Sequence, residues 1–148
     1  VKVPGLDGSG KMGKSEGENN AIYLADEPEV TRKKIMRALT DSGPTEPNSK
    51  PPVYIQNLFS LLSLVSEPSV VKHYKSAFAD CNIRYGDMKK QLAEDTLNFI
   101  APLRERILAI ENDTVLLNRV LREGAEKARE SSSKTLAEVR NLWGFKPF

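Results

Sequence analysis

The sequence predicts an all-α protein: a bundle of five or six helices preceded by a short, glycine-rich N-terminal segment without helix. Three observations support this prediction. After residue 25, apolar residues recur at intervals of three and four, which is the period of a helix buried on one face. Two of these stretches begin with an acidic residue followed by proline, a typical helix start. No stretch alternates apolar and polar residues as a half-buried strand does.

Residues 1–25 differ in composition from the rest of the chain. Five of the nine glycines fall between Gly5 and Gly17, among polar residues. Because glycine removes the steric limits on the backbone, we expect a loop here. A first helix should follow, capped by Asp26 and ending near Leu39. Its buried stripe should comprise Thr31, Ile35, Ala38 and Leu39, and its solvent side Lys33, Lys34 and Arg37.

The middle of the chain predicts two further helices. Residues 40–52 are rich in proline, glycine, serine and asparagine, which is typical of a loop. Residues 53–65 are apolar on nearly all sides, so their helix should be buried on several faces. Residues 66–69 form another helix start, and that helix should reach about Phe78, before a turn at residues 81–86.

The last third of the chain predicts two or three more helical stretches. Apolar residues spaced from Met88 to Ile107 indicate a helix of about six turns. Pro102 lies inside it and should kink it, because proline lacks the N–H donor. Asp113 should cap the next stretch, which the serines at residues 131–133 should interrupt. The residues expected to point inward there are Leu116, Leu117, Val120 and Leu121.

Composition excludes several classes of site. The net charge of +2 is too small to indicate a nucleic-acid partner by itself. A single cysteine, Cys81, excludes an intrachain disulfide and a cysteine-built zinc site. A single histidine, His73, excludes a histidine metal cluster and disfavours a Ser-His-Asp triad, so we expect no metal site. No apolar run approaches the roughly 18 residues that span a bilayer, so we expect a soluble, cytoplasmic protein without a membrane partner.

The most informative motif is GSGKMGKS, residues 8–15, called the lysine loop below. It satisfies the P-loop pattern, a glycine, four residues and Gly-Lys-Ser. A P-loop requires a buried strand before the motif and a helix beginning at its end, where the amides face a phosphate. Here a lysine, a proline and a glycine precede the motif, and an acidic, glycine-containing segment follows. The surrounding sequence therefore argues against a P-loop.

The spacing of two lysines in this loop favours another chemistry. Lys11 and Lys14 lie three positions apart among glycines, so both ammonium groups can reach one triphosphate. Lysine suits this task because it is a compact charge on a flexible stem. If such groups close on a departing pyrophosphate, they stabilise the transition state more than the ground state. A basic linker with a chance spacing remains the simpler alternative for the motif taken alone.

Residues 11–15, KMGKS, resemble the KMSKS loop of class I aminoacyl-tRNA synthetases, with Gly13 where serine is usual. The segments that follow in order are AIYLADEPEVTRKKIMRALTDSGP, NLFSLLSLVS and RYGDMKKQLAEDTLNFIAPLRERI. This order is similar to the C-terminal part of bacterial tryptophanyl-tRNA synthetases over nearly the whole chain. Tyrosyl-tRNA synthetases also have a lysine loop, but the TDS segment at residues 40–42 favours tryptophan.

The resemblance implies an ATP-dependent ligation, in which tryptophan is activated to its adenylate and then moved to the 3′ end of tRNA(Trp). It implies that residues 1–25 are the loop segment ending a catalytic domain, and that residues 26–148 are a helical anticodon-binding domain. The L-tryptophan pocket would lie in a half outside this chain, the full protein would be a homodimer, and this piece alone would be inactive. ATP, with Mg²⁺, would be bound by Lys11, Met12, Gly13, Lys14 and Ser15, of which Lys11 and Lys14 would be catalytic.

Two surfaces leave alternatives open. A basic and aromatic group near the start of the long helix could contact tRNA by charge and stacking, or could be an ordinary solvated face. This group comprises Arg84, Tyr85, Lys89 and Lys90. The basic side of the first helix could likewise face RNA, ATP or solvent. For the whole chain, the alternative is a free-standing helical RNA-binding or scaffold protein with an incidental lysine loop.

Overall fold

The computed structural model describes residues 2–8, 10–13, 15, 17 and 19–145, and over these residues the protein has five α-helices and no strand. The predicted all-α class is therefore confirmed. The described residues before residue 28 contain no α-helix, also as predicted. In chain order the helices are α1 (Pro28–Met36), α2 (Val53–Val65), α3 (Pro68–Ala79), α4 (Tyr85–Asn112) and α5 (Thr114–Trp143).

The chain divides into two compact units, residues 1–105 and 106–148. The first unit holds the glycine-rich segment, α1, α2, α3 and most of α4. The second unit holds the end of α4 and all of α5. Every predicted site residue belongs to the first unit.

Helix α2 contributes more side chains to the core of the first unit than any other element. Its bounds coincide with the apolar run that predicted it. Five of its residues are buried, whereas Val53 and Leu64 are exposed, at 62% and 48%, so the buried surface is narrower than the apolar surface. Phe59 packs edge-on against Phe78 of α3, with ring centroids 5.9 Å apart. The buried core comprises Leu6, Ile35, Ala38, Ile55, Leu58, Phe59, Leu61, Leu62, Phe78, Met88, Leu92 and Ala93.

Helix α1 begins later than predicted. Pro28 occupies its first turn, as expected, but the N-cap is Glu27, whose side chain makes no capping hydrogen bond. Asp26 is not the cap, because its carboxylate accepts hydrogen bonds from the Tyr23 backbone N–H at 3.3 Å and from Lys34 Nζ at 2.6 Å. A carboxylate used in this way is unavailable to the first amides of the helix.

Helix α1 also ends earlier than predicted. The helix stops at Met36, and Arg37 is its C-cap. The Leu39 N–H then donates to the Leu6 carbonyl oxygen at 3.3 Å, and the Leu39 side chain is left 50% exposed. The predicted stripe is buried at its other positions, Thr31, Ile35 and Ala38.

The second unit agrees with one prediction and differs from two others. Asp113 caps α5 as expected, with its Oδ1 accepting from the Leu116 N–H at 2.9 Å. The helix is continuous through residues 131–133, because Ser132 Oγ donates back to the Arg129 carbonyl oxygen and stays within the helical geometry. The predicted inward face was wrong at Val120 and Leu121, which are 55% and 69% exposed.

Pro102 lies inside α4, as the sequence indicated. Over the part of the chain that the structure describes, no helix combines the length and the apolar character needed to cross a membrane.

Candidate functional site

The lysine loop begins and ends on a fixed base. The Leu6 N–H donates to the Asn20 carbonyl oxygen at 3.2 Å, which joins the segments before and after the loop. The Leu6 carbonyl oxygen in turn accepts from the Leu39 N–H, just after α1. Asn57 Nδ2 of α2 donates to the Gly5 carbonyl oxygen at 3.4 Å. The chain on both sides of the loop is therefore attached to the helical core.

Gly8 is the first residue of the loop, and its position requires glycine for two reasons. Its φ is +91°, in the region that residues with a side chain rarely adopt. A Cβ at this position would also lie 3.2 Å from Tyr54 Cβ of α2. The loop thus departs from the core at a point where the backbone lies directly against α2.

Met12 anchors the middle of the loop. Its backbone N–H donates to the Val3 carbonyl oxygen at 2.7 Å, and its Sδ accepts from the Ile22 N–H at 3.4 Å. The half-buried side chain packs against the core in an apolar cleft of about 350 Å³. In the structure Met12 therefore holds the loop to the core. The cleft is lined by Val3, Met12, Ile22, Leu24, Leu61, Leu64, Val65, Leu92, Thr96, Phe99 and Ile100.

Asn20 fixes the backbone of the first lysine, a role that the sequence analysis did not identify. Its side chain is 2% exposed, and its Nδ2 donates to the Lys11 carbonyl oxygen at 3.2 Å. The main chain at Lys11 is thereby tied to the segment just after the loop, while the residue itself is exposed. Gly13 is half-buried and Ser15 is exposed, whereas Lys14 lies outside the described residues.

Replacing Asn20 with alanine should release this part of the loop. We expect the free energy of unfolding to fall by about 1–2 kcal/mol, because a buried hydrogen bond is lost and its acceptor is left without that donor. The Met12 amide should also exchange with solvent faster. Urea unfolding and NMR hydrogen exchange measure the two effects. Asn19→Ala, at the exposed neighbouring position, is the matched control, and equal effects of both substitutions would contradict this role of Asn20.

Lys34 departs from the prediction that it lies on the solvent side of α1. The residue is 8% exposed, and its ammonium lies between the Asp26 carboxylate, at 2.6 Å, and the Ala21 carbonyl oxygen, at 3.0 Å. It also lies over the Tyr23 ring, 4.5 Å from the centroid. Arg104 of α4 binds the same segment, through its Nε to the Asp26 carbonyl oxygen at 3.1 Å. The chain leaving the lysine loop is thus fixed by two cations.

Of the four predicted tRNA contacts, Lys89 has a different environment from the others. Its side chain is buried, and Nζ donates to the Ala38 carbonyl oxygen at 2.6 Å and to Thr40 Oγ1 at 3.0 Å. Burial lowers the pKa of Lys89. Arg84 and Lys90 are exposed, and Lys90 lies 3.7 Å from the Asp87 carboxylate. Lys89 thus holds the chain that follows α1, and its ammonium does not face solvent.

Tyr85, the fourth predicted contact, belongs to a cluster around Asp41. Asp41 Oδ2 accepts from the Tyr54 hydroxyl at 2.9 Å, and Oδ1 accepts from the Gly43 N–H at 2.8 Å. Burial raises the pKa of Asp41, but the hydrogen bonds from Gly43 and Tyr54 and the nearby Tyr85 hydroxyl outweigh it, so the net pKa is lowered. Burial, and then the Asp41 carboxylate, raise the pKa of Tyr85. Because a Cβ at Gly8 would lie 3.2 Å from Tyr54 Cβ, this cluster includes the α2 residue next to the start of the lysine loop.

The arrangement can present the exposed Lys11 to an anion. The lysine loop is held at its base, at Met12 and at the Lys11 carbonyl, and the first lysine is exposed. Within the described ranges, no three His, Cys, Asp or Glu side chains gather as a metal site would require.

Comparison with known proteins identifies similar chains. Residues 2–101 match the family described as tRNA synthetases class I (W and Y). A tryptophan–tRNA ligase of Porphyromonas gingivalis is 58% identical over 146 residues, which cover 99% of this chain and 44% of that protein. A tryptophan–tRNA ligase of Rhodopirellula baltica is 35% identical over the same shares of both chains.

A solved structure is similar as well. The crystal structure of tryptophanyl-tRNA synthetase from Campylobacter jejuni, complexed with ADP and tryptophan, superposes with a TM-score of 0.74 at 25% identity. The match covers 97% of this chain and 44% of that one. The present chain thus spans less than half the length of the relatives that it matches.

Proposed function

The chain belongs to the class I tRNA synthetases for tryptophan and tyrosine, and from this premise we propose that it is the C-terminal part of a tryptophan–tRNA ligase. The lysine loop binds the phosphates of ATP in this proposal. The observation that supports it most is the anchored loop with an exposed Lys11, in a chain 58% identical to a tryptophan–tRNA ligase.

The reaction has two steps. Tryptophan attacks the α-phosphate of MgATP, which gives tryptophanyl-adenylate and pyrophosphate, and the 3′ end of tRNA(Trp) then takes the amino acid from the adenylate. Negative charge builds on the leaving pyrophosphate in the first step. Lys11 and Lys14 neutralise that charge. Met12, Gly13 and Ser15 bind the same phosphates through the backbone of the loop. Gly13 lacks the hydroxyl of the usual serine, so backbone amides make the phosphate contacts that this hydroxyl would make.

The loop geometry suits this role because part of it is held in place. The Lys11 backbone is tied to Asn20 and the Met12 amide to Val3, so these two backbone positions are already fixed before ATP binds. Restricting the free loop in this way lowers the entropy cost of binding. The long stem of lysine still lets the ammonium follow the phosphates as they separate.

We also propose how the chain binds tRNA and assembles. Residues 26–148 form the anticodon-binding domain, and Arg84, Tyr85 and Lys90 are the candidate RNA contacts near the start of α4. Lys89 is left out of this set because its ammonium is bound to the Ala38 carbonyl oxygen. The tryptophan pocket lies in a nucleotide-binding half outside this chain, and the whole enzyme is a homodimer.

The experiment is ATP–pyrophosphate exchange by the longer gene product, with tryptophan or tyrosine as the amino acid. We expect exchange with tryptophan and little with tyrosine, and no exchange by the 148-residue chain alone. Exchange that depends on tyrosine would reassign the substrate. RNA binding by the longer product without any exchange would favour the alternative, a helical RNA-binding protein.

A further inference from the structure

A second basic feature lies beside the lysine loop. It is a cleft of about 410 Å³ between α1 and the chain that leaves the loop. Asn19, from the segment just after the lysine loop, forms one part of its wall. The other lining residues are Tyr23, Asp26, Val30, Lys33, Lys34 and Arg37.

The cleft has two positive charges that no described residue neutralises. Lys34 is paired with Asp26 at 2.6 Å, so these two charges cancel. The side chains of Lys33 and Arg37 make no hydrogen bond or ion pair to any described part of the chain, and both residues are exposed. Glu27, just before α1, is paired with Arg104. Among the described residues that line the cleft, three are cationic and only Asp26 is acidic, so their summed charge is positive.

The two free cations are spaced to act together. Lys33 and Arg37 are four residues apart, so they lie on the same side of the chain one turn apart, with about 5–6 Å between their Cβ atoms. Arginine binds phosphate oxygens through two parallel hydrogen bonds, and lysine adds a mobile point charge. A pair of this kind can contact two phosphates of one nucleic-acid strand, since arginine and lysine supply many of the contacts that proteins make to the phosphate backbone.

We propose that this cleft binds the phosphodiester backbone of the tRNA strand that delivers the 3′ end to the lysine loop. The inference rests on the proposed function, in which the adenylate forms beside Lys11 and Lys14. The 3′ end must reach the same place for the second step, so the strand behind it passes near the loop. Asn19 lines the cleft and directly precedes Asn20, which holds Lys11, so a strand in the cleft lies next to the reacting groups.

The test uses the longer gene product with Lys33→Gln, Arg37→Gln and the double substitution. The matched control is Lys50→Gln, which removes the same charge at an exposed position of the 40–52 segment. For the double variant we expect the KM for tRNA(Trp) to rise about tenfold in aminoacylation, with a much smaller change in tRNA-independent pyrophosphate exchange. The log–log salt slope of tRNA binding should fall by about 1.4, since each lost contact to a single strand contributes about 0.7.

The outcomes separate the two proposals. An unchanged KM for tRNA and an unchanged salt slope would overturn the cleft proposal and leave the proposed function intact. A raised KM for ATP in exchange would assign the cleft to ATP and would also overturn the inference. If the unsubstituted protein shows no exchange, the proposed function itself fails. Thermal unfolding of each variant, expected to match the unsubstituted protein, ensures that KM changes do not reflect misfolding.

Discussion

Alanine at Lys11 or Lys14 should lower the rate of tryptophan-dependent pyrophosphate exchange by about two to three orders of magnitude. This is the usual loss when one preorganised group that stabilises transition-state charge is removed. The effect should fall on kcat more than on the KM for ATP, because the ammonium groups interact most strongly with the pyrophosphate as it departs. Steady-state exchange kinetics of the longer gene product measure both constants.

The control for this experiment is Lys50→Ala, which removes an exposed lysine outside the lysine loop. Its exchange rate should stay within about twofold of the unsubstituted protein. Full exchange activity after both loop substitutions would contradict the proposal that Lys11 and Lys14 act on the phosphates of ATP. A rise in KM alone, at constant kcat, would mean that the lysines bind ATP without stabilising the transition state.

Truncation of Leu62 in α2 should cause the largest loss of stability. The side chain is 0% exposed and belongs to the core of the first unit. Leu62→Ala should lower the free energy of unfolding by about 3 kcal/mol, from lost apolar burial and from the cavity that remains. A loss of this size is a large fraction of the roughly 5–15 kcal/mol that stabilises a domain. Urea unfolding of the 148-residue chain, followed by circular dichroism, measures it.

Leu64→Ala is the matched control in the same helix. Leu64 is 48% exposed, and the change in helix propensity is the same at both positions. We expect a loss below about 1 kcal/mol, so the difference between the two variants isolates burial. Equal losses would show that α2 is not oriented as described. Because Leu64 also lines the apolar cleft that holds Met12, a small effect is expected rather than none.

Two pairs of neighbouring lysines show how tertiary contacts divide residues that look equivalent in sequence. Lys33 is exposed and Lys34 buried, and Lys90 is exposed and Lys89 buried. Successive residues of a helix point about 100° apart, so one member of each pair must lie nearer the core. Lys34 lies three residues after the buried Thr31, and this spacing was the available signal.

Spacing alone does not show why a buried ammonium is tolerated. A buried charge requires hydrogen-bond partners, and the partners here are distant in the chain. Lys89 donates to the Ala38 carbonyl oxygen, 51 positions away, and Lys34 to the Ala21 carbonyl oxygen, 13 positions away. Both acceptors are backbone carbonyls, which every residue has, so no sequence pattern identifies them.

The sequence by itself determined the helical class, the bounds of α2, the cap at Asp113 and the position of the lysine loop. These features depend on local spacing and on residue type, which are readable along the chain. Only the tertiary structure decided that Asn20 holds the Lys11 backbone, that Asp26 pairs with Lys34 and that Lys33 and Arg37 line a cleft without a partner among the described residues. The physical reason is that such roles depend on which hydrogen-bond partners folding brings within about 3 Å of each side chain.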